Sequence, residues 1–137
     1  MSDSIIGLGV VAIVQNSKGD LLLIKRKKEP KAGYLSLPGG HVEFGEKAED
    51  AVVREMKEET NLDVEATDFI SFYESIHPEY HKFILIYKTK ILGNEFATAG
   101  DDASEAIWVC LEKIGSLEKI TNVTIHALKK AAMSRDL

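Results

Sequence analysis

The chain has one cysteine, Cys110, which excludes an internal disulfide and fits a reducing compartment such as the cytoplasm. It also lacks a long hydrophobic run. Ile5–Val14 is mostly apolar but only ten residues long, with no basic residue ahead of it. Such a run is too short to span a bilayer and lacks the charged start of a signal peptide, so a buried strand is expected and no membrane partner. There is no excess of positive charge. The net charge of −5 gives no electrostatic footprint for a nucleic-acid backbone, so anionic ligands have to be met by local cations. Internal repeats and low-complexity segments are absent, and nothing resembles an added DNA-binding segment. What remains, 137 residues with 45% apolar and 28% charged side chains, reads as one soluble globular domain spanning 1–137.

Taken in order, Ile5–Val14 predicts a first strand and Leu21–Arg26 a second. The turn chemistry of Asn16-Ser17-Lys18-Gly19-Asp20 between them makes a hairpin the expected pairing. A basic cluster, Lys25–Lys28, closes the second strand. It serves either as a solvated edge or as a phosphate clamp, with Arg26 the candidate because its fork can hold phosphate bidentately. A loop and a short extended segment, Tyr34–Leu37, lead into Pro38-Gly39-Gly40, read as a turn in which the glycines supply unusual φ values. Beyond a helix ending near Asn61, Val64–Ile76 and Phe83–Leu92 predict two strands separated by His77-Pro78-Glu79. Strict alternation in the first places Phe69, Ser71, Tyr73 and Ser75 on one face. A polar loop from Gly93 to Ala103, a short strand Ala106–Cys110, a helical turn and a helix Asn122–Met133 complete the chain. The order β-β-β-α-β-β-β-α suggests an α/β fold, a mixed sheet with helices on both sides.

The rest is organised around Gly40 to Leu62, GHVEFGEKAEDAVVREMKEETNL. Acidic residues Glu46, Glu49 and Asp50 suit the positive end of a helix starting near Glu46 or Lys47, and Asn61 suits a left-handed C′ position. With Ala48 at zero and about 100° per residue, Val52 and Met56 centre an apolar stripe near 40–80°. Glu59 falls inside that stripe, Glu55 beside it, and Glu58 flanks it. Glu55 and Glu59 are like charges four apart, which repel even on an exposed helix and need a cation when turned inward. With no His or Cys on the helix and no alternating-Asp calcium loop, this is an oxygen-ligand set suited to Mg²⁺ or Mn²⁺.

The spacing Gly40-x5-Glu46-x7-Arg54-Glu55-Met56-x-Glu58-Glu59-x-Asn61-Leu62 resembles the Nudix box, departing only in Asn61 where the pattern has Gly. The resemblance implies an α/β/α sandwich and metal-dependent hydrolysis of a nucleoside diphosphate linked to another group X. It implies Glu55, Glu58 and Glu59 as metal carboxylates, with a backbone carbonyl of the Gly39–Gly40 turn completing the shell. Arg54 would orient a catalytic glutamate and Glu46 would support the loop–helix structure. The general base is Glu58 or Glu55, or an acid of a later loop, where Asp101, Asp102 and Glu105 are candidates. Pro78, sixteen residues after Leu62, is similar to members acting on ADP-ribose. GGHVEFGE is also similar to members that cleave nucleoside triphosphates to monophosphate and pyrophosphate. Tyr34, Phe44, Phe72, Tyr73 and Tyr80 are candidates to stack on a base, Tyr34 being placed with Arg26 and Gly39 in the expected substrate site. A non-catalytic nucleotide sensor is the alternative from another class, although such a module would be expected to lose box carboxylates. A homodimer is left open.

Overall fold

A computed structural model describes residues 5–100 and 102–137. Its elements are β1 (Ile6–Ile13), β2 (Leu21–Arg26), β3 (Leu35–Ser36), β4 (Gly39–His41), α1 (Ala48–Thr60), β5 (Val64–His77), β6 (Tyr80–Ile91), β7 (Ala103–Val109), a 3₁₀ segment (Leu111–Ser116) and α2 (Asn122–Met133). β1 lies inside a four-stranded mixed sheet of order β4-β1-β6-β5, parallel to β6 and antiparallel to β4. Both faces of β1 are covered, which is why its sequence reads as a nearly continuous apolar run. Val10, Ala12 and Val14 pack with Ala51, Val52 and Met56 of α1. Val11 and Ile13 point the other way and pack with Ala127 and Ala131 of α2. The result is an α/β/α sandwich. Met56 and Val52 are completely buried, and each such side chain contributes about 1.5–3 kcal/mol of hydrophobic stabilisation. Among the described residues no helix is long and apolar enough to cross a membrane.

The expected β1–β2 hairpin forms only at its base. Asn16 Oδ1 accepts from the N–H groups of Lys18 and Asp20 at 3.0 and 2.9 Å, Gly19 takes φ +83°, and one bridge joins Gln15 to Leu21. The strands then part into different sheets. β4 and β6 occupy both edges of β1, so β2 pairs with β3 and β7 in a separate three-stranded sheet.

β6 starts at Tyr80 instead of Phe83, because Pro78 and Glu79 make a tight reversal and the ladder closes up to the His77–Tyr80 pair. β7 starts at Ala103, beyond a register shift opposite Lys25 and Arg26. Strict alternation in β5 also fails. A bulge between Phe69 and Ser71 puts Phe69 against Tyr87 on the α1 side, while Tyr73 faces α2.

The helix ends as the sequence predicts. Asn61 adopts φ 64°, and its N–H donates to Lys57 O at 3.0 Å, closing the last turn. From the opposite side, Thr124 of α2 is fully buried and its Oγ1 accepts from Leu37 N–H at 2.9 Å. That bond fixes the chain immediately before Pro38 and so places β4.

Candidate active site

β4 runs between β1 and the C-terminal half of α1, and the space is so small that only glycine fits. A Cβ on Gly39 would lie 2.1 Å from Val10 O, and one on Gly40 would lie 2.1 Å from Glu55 Cδ. Neither glycine has a positive φ; the left-handed glycines are Gly19, Gly33, Gly45 and Gly93. The expectation of a turn with unusual dihedrals is therefore corrected. Gly39 and Gly40 form a strand paired with Val11 and Val10, and they are small because the backbone presses against a carboxylate.

Arg54 organises the acidic helix. Its Nε and Nη2 donate to Glu46 Oε2 and Oε1 at 2.8 and 3.0 Å, a fork-to-fork pair. Nη2 also donates to His41 O at 2.8 Å, tying α1 to β4. Nη1 reaches Glu55 Oε2 at 3.1 Å and Glu58 Oε2 at 3.2 Å. Glu46 in addition accepts from Glu43 N–H at 3.0 Å. The Arg54 bond, with this backbone bond, holds the Glu46 carboxyl down at about 2. Arg54 is itself held well above its usual range, chiefly by Glu46. Glu55 moves the other way. Burial raises its pKa, and the bond from Arg54 offsets that only in part.

Beside this network lies a cavity of about 380 Å³. Gly40, Glu55 and Glu59 line its floor, and Arg26, Lys82 and Asp102 are among its walls. Glu59 is buried, at 7% exposure, as its place in the apolar stripe predicts. Glu58 is mostly exposed and belongs to the Arg54 network. Among the described residues no three His, Cys, Asp or Glu side chains are already gathered as a metal cage. Glu55 and Glu58 are drawn onto the Arg54 fork instead. The carboxylates nevertheless suit a hard divalent cation, two of them lining the cavity and a third a turn away on the same helix, with His41 also in the lining.

Other sequence candidates are dispersed. Arg26 lines the cavity, its Nε donating to Pro30 O at 2.9 Å. Tyr34 is not part of the lining and carries Lys31 over its ring at 4.8 Å. Phe44 is fully exposed, and Phe72 stacks on Phe83 on the α1 side of the sheet. Tyr73 packs against His126. Asp102 lines the cavity and pairs with Lys28 at 3.3 Å, whereas Glu105 sits in β7 opposite Lys25, by a second and smaller hollow. Asp101 lies outside the described residues. Sequence reasoning missed Lys82. Its signal is the alternation Lys82, Ile84, Ile86, which an expected strand starting at Phe83 leaves incomplete.

The sequence profile of the NUDIX domain family matches residues 6–130, and the chain belongs to that family. It is 42% identical over 99 residues to an ADP-ribose pyrophosphatase of Methanocaldococcus jannaschii, a match covering 71% of this chain and 58% of the relative. It is 34% identical over 101 residues to a putative 8-oxo-dGTP diphosphatase of Bacillus subtilis, covering 74% of this chain and 64% of that protein. The match thus spans about three-fifths of the length of these curated relatives. Among solved structures, a MutT NUDIX hydrolase from Burkholderia pseudomallei superposes with a TM-score of 0.83 at 27% identity, covering 93% of this chain and 98% of that one. Nudix hydrolases generally need a divalent metal ion.

Proposed function

We propose that this chain is a metal-dependent pyrophosphohydrolase that cleaves the phosphoanhydride of a nucleoside diphosphate linked to X, with ADP-ribose-like nucleotides as its substrates. The observation that carries the reading is the cavity itself, where Glu55, Glu59 and the Gly40 backbone share one space with Arg26. Glu55, Glu58 and Glu59 would hold Mg²⁺ or Mn²⁺. When bound, the ion offsets charge developing on the phosphoryl oxygens and makes water more acidic.

The protein's own side chains do the rest. Arg54 restrains the rotamers of Glu55 and Glu58 through its Nη1. Arg26 binds phosphate oxygens, and Glu58 or Glu55 accepts the proton of the attacking water. Asp102 is drawn toward Lys28, which favours a proton acceptor on α1 over one in the late loop. The ADP-ribose preference is supported by the name of the Methanocaldococcus jannaschii relative and by the Pro78 spacing. The Bacillus subtilis relative supports a second reading, release of pyrophosphate from a nucleoside triphosphate.

A panel of nucleotides with Mg²⁺ or Mn²⁺, its products resolved by chromatography, tests this. AMP with ribose 5-phosphate supports the first reading and pyrophosphate the second. Binding without turnover of any member would overturn both and leave a sensor.

A further inference from the structure

We propose that Lys82 is a substrate-binding residue that takes the diphosphate oxygens from the cavity wall formed by the four-stranded sheet, while Arg26 takes them from the three-stranded sheet. The name of the ligand rests on the hydrolase reading; the anion site does not.

Lys82 and Ile84 are on the same face of β6, and both line the cavity. β6 lies between β1 and β5, so Lys82 is not an edge-strand lysine guarding against aggregation. In the ladder it stands opposite Gly7 of β1 and Ser75 of β5. A Cβ on Gly7 would lie 3.5 Å from Lys82 Cγ, so the start of the lysine side chain lies beside the glycine. The ammonium sits 5.0 Å from the centroid of the Tyr80 ring. That ring in turn stacks on His77, with centroids 4.8 Å apart and planes 7° from parallel. The stack at the hairpin tip therefore restrains a side chain that is otherwise long and mobile.

The charge of Lys82 lacks an acidic counterpart. Among the described residues no carboxylate is within ion-pair distance of it, whereas Lys28 across the cavity is paired with Asp102. A half-buried ammonium that lines the cavity with no described carboxylate within ion-pair distance favours an anionic visitor. The oxygens of a diphosphate supply that anion. Because the contact is made before and during the reaction alike, Lys82 lowers KM and leaves kcat alone.

Steady-state hydrolysis of ADP-ribose in saturating Mg²⁺, with calorimetric binding of its methylene-bridged, non-hydrolysable analogue, tests the assignment in the full chain. Lys82→Met raises both KM and the analogue's Kd by about tenfold or more, the loss of one charge-assisted contact, with kcat nearly unchanged. Lys82→Arg restores most of the binding. Lys90→Met, an exposed lysine of the same strand, changes neither value. If Lys82→Met melts early, Lys82→Gln takes its place in the same comparison. Unchanged KM and Kd in a parent that hydrolyses ADP-ribose, or a fall in kcat alone, overturns the proposal and spares the hydrolase reading. A parent that binds the analogue but hydrolyses nothing overturns that reading, and the Kd comparison still decides Lys82. A parent that does neither overturns both.

Discussion

The floor of the cavity and its walls handle charge differently. On the floor side, Arg54 gathers Glu46, Glu55 and Glu58 behind the cavity, Glu55 alone of these lining it, so much of the negative charge there is already answered from within the protein. On the walls, Arg26 and Lys82 come from separate sheets, and among the described residues neither is paired with a carboxylate. The floor is thus held in shape before a ligand arrives, whereas the walls become neutral only when an anion enters. Removing a floor carboxylate is therefore expected to damage turnover, and removing a wall cation to damage affinity.

The largest effect is expected on the floor. Glu58→Gln keeps helix propensity and loses one ligand and proton acceptor, so turnover in saturating Mg²⁺ should fall by about 10²–10⁴-fold. Its thermal midpoint in EDTA should stay near the parent's, since an exposed ion pair contributes only about 0–1 kcal/mol. Near-parental turnover would place the proton acceptor at Glu55 instead. Gly40→Ala tests the close approach of β4. A methyl group in contact with Glu55 forces a shift costing about 1–3 kcal/mol, visible as a lower urea midpoint together with lost activity. A fully stable, active variant would show that the strand has slack.

Arg54→Lys replaces a planar fork by a point charge, and kcat should fall about 10–100-fold as the carboxylates lose their alignment. A raised KM with unchanged kcat would move Arg54 to the walls and break the contrast between the two regions.

The smallest effects are in pH dependence. Glu46 titrates near 4.5 in the unfolded chain but at about 2 when folded. Its contribution to stability is therefore present above 4.5 and lost as pH falls toward 2. Glu46→Gln should flatten the midpoint-against-pH curve in that window. Glu55 has the opposite sign: its folded pKa is raised, so ionising it costs stability as pH rises past its unfolded value. In EDTA at neutral pH, Glu55→Gln should melt at or above the parent's midpoint. A lower midpoint would mean that the Arg54 bond outweighs burial at this carboxylate.

Some of this molecule was legible because it is local. The acidic first turn, the apolar stripe with Glu59 inside it, and Asn61 as the left-handed stop all follow from 3.6-residue periodicity and backbone sterics within one helix. The apolar run of β1 and the spacing that resembles the Nudix box needed no partner either. What stayed hidden depends on neighbours far along the chain. Gly39 and Gly40 look like turn residues until Val10 O and Glu55 are placed against them. β1 and β2 look like a hairpin until β4 and β6 take both edges of β1.

By itself, then, the sequence determined the helix, its carboxylates and the oxygen chemistry they offer. Which of those carboxylates meet Arg54 and which meet the cavity was decided only when β4 packed against α1. Lys82 became a cavity residue only through a parallel pairing of strands whose paired residues lie 75 positions apart, Gly7 with Lys82, and no local pattern encodes that register. Periodicity determines which way a side chain faces, but the residue it meets across the sheet depends on closing the intervening loop and burying both faces at once.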